Sequence, residues 1–137
     1  MKDCQGLIFI VDDDPPVLKG LSRLLRGRGF QVRTFASAEA FLGALGAEAP
    51  ACLLLDMRMP GMDGLDLMDA LARRGVETPV VVITAYLDDG LARRCKAAGA
   101  SACLTKPVEP SALLQAIAAA RSGAGMSRAP NWRRRHQ

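Results

Sequence analysis

The sequence predicts an α/β domain, a parallel five-stranded sheet with helices on both faces. Three observations predict it. Short apolar runs alternate with amphipathic segments five times, with little padding between them. The runs are mostly aliphatic or β-branched and largely lack polar alternation, which is the pattern of strands buried on both faces. No repeat or internal linker interrupts the order, and strict β-α alternation implies right-handed crossovers within one domain.

The first run, GLIFIV (6–11), leads to PPVLKGLSRLLRGRG. That segment opens on prolines, ends at glycine and carries Val17, Leu18, Leu21, Leu24 and Leu25 on one face. Asp14, just before the prolines, reads as its N-cap. FQVRTF (30–35) alone alternates polar with apolar and is expected at a sheet edge. SAEAFLGALG follows, with Ser37 as N-cap, Phe41, Leu42 and Leu45 inside and Gly46 as the stop. ACLLL (51–55) passes through DMRMPGMDG into GLDLMDALARRG, where Leu65, Met68 and Leu71 recur at spacings of three. PVVVIT (79–84) precedes LDDGLARRCKAAGA, and SACLT (101–105) precedes PSALLQAIAAAR.

Composition narrows the function classes. A chain of 137 residues, half of them hydrophobic, is one globular domain with an ordinary core. No apolar run approaches the ~20 residues that span a bilayer. MKDCQGLIFIVDDD has an acid beside its lysine, a short apolar stretch and no cleavage site, so it does not read as a signal peptide. A cytoplasmic location is expected. The cysteines (Cys4, Cys52, Cys95, Cys103) show no CxxC spacing, and the single histidine is His136, which excludes the common zinc arrangements. Cys52, Cys95 and Cys103 read as packing residues in a reducing compartment, not as a disulfide scaffold. The net charge is +4, but five arginines and no acids lie from Arg121 onward. The preceding residues hold thirteen cations against fourteen anions. The basic character therefore belongs to the tail, GAGMSRAPNWRRRHQ (123–137), which is too short to fold alone and is expected to be disordered; residues 1–122 form the domain.

In an open parallel sheet, ligands bind outside the carboxyl ends of the strands. Asp12, Asp13 and Asp14 follow the first strand, Asp56 the third, Thr84 ends the fourth, and Lys106 follows the fifth. Each has a plainer reading: Asp56 as a turn acid, Thr84 as a β-branched strand residue, Lys106 as a surface charge, Asp14 as a helix cap. Their joint placement on successive strand ends favours a site. Asp12, Asp13 and Asp56 against Lys106 leave a charge of −2, which a divalent cation neutralises. Oxygen ligands without His or Cys select a hard ion, Mg²⁺ or Mn²⁺. An aspartate beside such an ion can attack phosphorus and form an aspartyl phosphate, with Lys106 and the Thr84 hydroxyl on the phosphoryl oxygens.

VDDD, LLLDMRMPGMDG, VITA and TKP, in this order over residues 5–122, resemble the receiver domain of bacterial two-component response regulators. The DMRMPGMDG loop and the EAFL segment are most similar to receivers of helix-turn-helix regulators of the FixJ and NarL type. The resemblance implies a CheY-like, flavodoxin-like doubly wound (βα)5 sheet in the order 2-1-3-4-5. It makes Asp56 the phosphoacceptor, Asp12 and Asp13 the acidic pair at Mg²⁺, and the Arg58 backbone carbonyl a further metal ligand. Thr84 becomes the switch hydroxyl and Lys106 the phosphate-binding lysine, with a cis bond expected at Lys106-Pro107. The implied donor is a sensor histidine kinase or phosphotransfer protein. The output is a downstream protein partner, with dimerisation on phosphorylation possible in the family.

Two positions depart from the family pattern. Cys103 stands where an inward-turning aromatic is usual, and Val108 where a phenylalanine is common. Switching through that aromatic is therefore in doubt, with Tyr86 a candidate replacement; Arg58 and Tyr86 are also placed to control water access to an acyl phosphate. The chain reads either as a stand-alone receiver or as one lacking a DNA-binding domain, and WRRR as a solvated tail or a nucleic-acid contact. An aspartyl-nucleophile phosphatase would need an acid two residues after Asp56, where Arg58 stands. A phosphorylation-independent binding module would have no need of all five polar residues.

Overall fold

The computed structural model describes residues 6–45 and 50–122. The expected helix stop at Gly46, the tail from 123, Cys4 and His136 lie outside the described residues. Five strands and five helices alternate: β1 (Leu7–Val11), α1 (Pro15–Gly27), β2 (Gln31–Phe35), α2 (Ala38–Ala44), β3 (Cys52–Asp56), α3 (Gly64–Arg73), β4 (Val80–Thr84), α4 (Asp89–Ala97), β5 (Ala102–Thr105) and α5 (Pro110–Ser122). The strands form one parallel sheet in the order β2-β1-β3-β4-β5. The chain winds one way from β1 to β2 and the other way from β3 on, so the crevice of a doubly wound sheet opens between β1 and β3.

Alternation along each strand divides the core in two. Phe9, Val11, Leu53, Leu55 and Val82 face α2, α3 and α4, packing on Phe41, Leu67, Met68 and Cys95. Ile8, Ile10, Leu54, Val81 and Ile83 face α1 and α5, against Leu25, Leu113 and Ile117. Each such aliphatic side chain, fully withdrawn from water, contributes about 1.5–3 kcal/mol. Phe9, Phe35 and Phe41 meet as tilted and edge-on rings, with centroids 5.3 to 5.7 Å apart. Of β2 only Val32 is buried, as suits an edge strand, while β3 and β4 are buried throughout. No helix of the described residues is long and apolar enough to cross a membrane.

Helix starts follow the short polar residues. Ser37 caps α2 by accepting from the Ala40 N–H at 3.0 Å. Asp63 and Asp66 form a reciprocal capping box at α3, and Asp88 accepts from the Leu91 N–H at 2.8 Å to start α4 two residues later than the sequence pattern suggests. Asp14 differs from expectation. It occupies the N-cap position of α1 with extended backbone, but its side chain makes no capping bond. Pro16 has no N–H to offer, which leaves only one of the two amides that an N-cap usually serves.

Candidate functional site

The carboxyl ends of β1, β3 and β5 bring four charged groups together. Asp12 and Asp56 are only 2% and 5% exposed, whereas Asp13 faces solvent. One carboxylate oxygen from each of the three lies within 4.8 Å of the others. Lys106 answers them, its Nζ 2.9 Å from Asp12 Oδ2 and 3.4 Å from Asp56 Oδ1. One cation against three carboxylates leaves the pocket negative. The Asp14 N–H orients Asp12 by donating to its Oδ1 at 2.9 Å. Asp14 thus serves the site through its backbone.

Burial pushes the Asp56 carboxyl above its ordinary value, and the Asp12 charge adds to this; Lys106 and the Arg58 N–H, which donates to the carboxylate, pull the other way. Burial works against the Lys106 ammonium, but the hydrogen bonds and charges of Asp12 and Asp56 outweigh it and hold the lysine above its ordinary value. Lys106 is placed by its N–H, which donates to the Thr84 carbonyl at 2.8 Å, and the Lys106-Pro107 bond is cis.

The loop after Asp56 is held by residues the sequence reading passed over. A Cβ on Gly64 would lie 2.8 Å from both the Met57 sulfur and its methyl carbon, and 2.9 Å from the Asp56 carbonyl oxygen. Only glycine lets the start of α3 close against the phosphoacceptor-candidate loop there. Gly61 takes a φ of +77°, and beside it the Met62 N–H donates to Glu39 Oε2 at 3.2 Å, tying the loop to α2. The second glycine of GMDG was visible in the sequence; Glu39, a surface acid 23 residues away, carried no local signal.

On the β4 side, Thr84 is fully buried, and its Oγ1 lies 3.4 Å from the Tyr86 N–H that donates to it. The bonds of its hydroxyl stay within its own loop. Tyr86 is 71% exposed and carries the Arg58 guanidinium over its ring, 5.5 Å from the centroid. The pair lines a groove between the starts of α3 and α4, with Asp63, Asp88, Leu91 and Arg94. Cys103 is half-buried and packs into the α4-side core, and Val108 packs on the opposite side with α1 and α5.

Residues 8–118 match the model of the response regulator receiver domain. The chain belongs to the response regulator receiver family. It is 44% identical over 117 residues to the response regulator protein TmoT of Ectopseudomonas mendocina, covering 85% of this chain and 53% of that protein. It is 42% identical over 120 residues to TodT of Pseudomonas putida, covering 88% of this chain and 53% of TodT. The crystal structure of FixJ-N superposes with a TM-score of 0.80 at 36% identity, covering 89% of this chain and 96% of that one. The receiver therefore spans about half the length of the curated relatives it matches. It is a receiver domain of two-component signalling, with the flavodoxin-like strand order 2-1-3-4-5 that the motifs implied.

Proposed function

We propose that this receiver takes a phosphoryl group onto Asp56 from the phosphohistidine of a sensor histidine kinase or phosphotransfer protein. The observation that carries this reading is the convergence of Asp12, Asp13 and Asp56 around Lys106, with Asp56 nearly buried at the end of a central strand. The donor set fits Mg²⁺, with Mn²⁺ as a substitute: all ligands are oxygens, and the net charge of −2 matches a divalent ion. Asp12, Asp13, Asp56 and the Arg58 carbonyl would hold the ion, which when bound supplies charge neutralisation for the transferring phosphoryl group.

The chain's own groups perform the rest. An Asp56 oxygen attacks phosphorus as the P–N bond to the donor imidazole breaks, and the proton required by the leaving imidazole comes from solvent. Lys106, already within reach of Asp56, pairs with a phosphoryl oxygen as negative charge gathers there. The Thr84 hydroxyl exchanges its contacts with the Tyr86 backbone for a phosphoryl oxygen, carrying the event to the β4–α4 loop. With Cys103 in place of an aromatic, the moving ring is Tyr86 and its Arg58 partner. These two also stand over the path of water to the acyl phosphate.

The relatives include one named a DNA-binding transcriptional regulator, NtrC, which supports a reading in which the output is exerted on DNA; dimerisation or docking to a downstream protein would convey the switch. Residues 1–122 would serve as the receiver and 123–137 as a basic tail toward an acidic partner or nucleic acid. Incubation with acetyl phosphate, followed by intact-mass measurement, tests the reading. One phosphoryl adduct should form with Mg²⁺ and none with a chelator; uptake that ignores the chelator would contradict it.

A further inference from the structure

A groove between α1 and the edge strand β2 uses none of the residues gathered around Asp56. It encloses about 540 Å³, and its walls include Leu18, Lys19, Ser22, Arg23, Arg26 and Thr34. Helical spacing brings the α1 residues to one side: Leu18, Ser22 and Arg26 follow at intervals of four, with Lys19 and Arg23 beside them. Thr34 shares the strand face of Val32, which packs in the core beneath α1. The Arg26 guanidinium ties the two elements together by donating to the Val32 carbonyl at 3.1 Å.

The chemistry of the groove is one-sided. From Pro15 to Ala38 the chain holds Lys19, Arg23, Arg26, Arg28 and Arg33 and no acid. Lys19, Arg23 and Arg26 are exposed, and none has an ion pair among the described residues. Ser22 adds an independent observation. It is only 8% exposed, yet its hydroxyl has no hydrogen bond among the described residues. A buried polar group without a partner is unfavourable, and a ligand that reaches it removes the penalty. The walls thus offer two guanidinium groups, an ammonium and two hydroxyls, and no carboxylate.

We propose that this groove binds the phosphodiester backbone of a nucleic acid. A phosphate carries several acceptor oxygens on one charged group, so it can take a guanidinium and the Ser22 hydroxyl together. From Lys19 to Arg26 the helix advances about 10 Å, whereas phosphates repeat about every 3.4 Å along one strand of a duplex. The row of cations therefore meets more than one phosphate of the same strand. A carboxylate surface could match the charge, but it has no such repeat. Contacts of this kind hold a strand without reading its bases. The site stands whether or not Asp56 is the phosphoacceptor.

Fluorescence anisotropy of a fluorescein-labelled DNA duplex of arbitrary sequence, titrated with the whole chain at several salt concentrations, tests this. The logarithm of the affinity should fall linearly with the logarithm of salt. Lys19→Gln and Arg23→Gln should each reduce that slope by about 1, and together weaken binding about tenfold at low salt. Both side chains are exposed, so the variants should fold. Ser22→Ala should weaken binding and leave the slope unchanged, because it removes a hydrogen bond and no charge. The tail arginines are the competing source of affinity. With Arg133→Gln, Arg134→Gln and Arg135→Gln in place, the response to Lys19→Gln and Arg23→Gln should persist. The proposal is overturned if the duplex does not bind at low salt, or if affinity and slope ignore the α1 variants. It is equally overturned if the tail variant alone abolishes binding, or if polyglutamate displaces the duplex at equal charge.

Discussion

The β1–β3–β5 rim and the β4–α4 side of the same pocket are built on different terms. At the rim, the three buried or half-buried charged groups are each held by more than one contact. Asp12 has a backbone donor and Lys106; Asp56 has Lys106 and the Arg58 N–H; Lys106 is pinned at both its backbone and its ammonium. On the β4–α4 side, the Thr84 hydroxyl has only long contacts to its own loop, and the adjoining ring, Tyr86, lies open to solvent over Arg58. Capture of a group demands fixed geometry, because misplacement of a reacting atom is costly. A reporting element needs two arrangements of similar energy, so weak and exchangeable contacts suit it. The difference separates where this receiver would hold a phosphoryl group from where it would announce one.

Perturbing each region should expose that division. Lys106→Met removes the cation shared by Asp12 and Asp56. We expect phosphoryl uptake from acetyl phosphate to fall by about 10²-fold. Without divalent ions, the loss of Asp12's partner should also lower stability by about 1–3 kcal/mol in denaturant titration. Uptake equal to the natural chain would show that the lysine has no part in capture. Gly64→Ala drives a methyl into Met57 and the Asp56 carbonyl, so a loss of about 1–3 kcal/mol is expected, with slower uptake as the loop shifts. A variant of unchanged melting temperature would mean that the loop yields freely. Tyr86→Ala probes the other region and has the smallest expected effect: it removes a cation–π contact worth about 0.5–1 kcal/mol at an exposed site and should leave uptake intact. A matching drop in uptake would erase the distinction between the two regions.

The legible part of the molecule was whatever depends on local pattern. Apolar runs marked the strands, and the rule that ligands gather at strand ends then placed Asp12, Asp13, Asp56 and Lys106 in one pocket, where the structure has them. Ser37 announced its helix by type and position. Asp14 misled because its neighbour Pro16 lacks an N–H, so the usual partner of a capping side chain was missing; the backbone N–H of Asp14 supports Asp12 instead. Glu39 was illegible as a partner. It meets its counterpart, the Met62 N–H, only through tertiary packing, across 23 residues. The Arg58–Tyr86 stack likewise joins two loops that no spacing rule connects.

The central claim, that the buried carboxylate at the end of β3 receives the phosphoryl group, is tested most directly by mapping the adduct. The chain should be phosphorylated with acetyl phosphate and Mg²⁺, the acyl phosphate trapped by borohydride reduction, and the modified peptide sequenced by mass spectrometry. The account predicts a reduced residue at Asp56 and no adduct in Asp56→Asn. A reduced residue at Asp12 or Asp13, or an adduct that persists in Asp56→Asn, would contradict it.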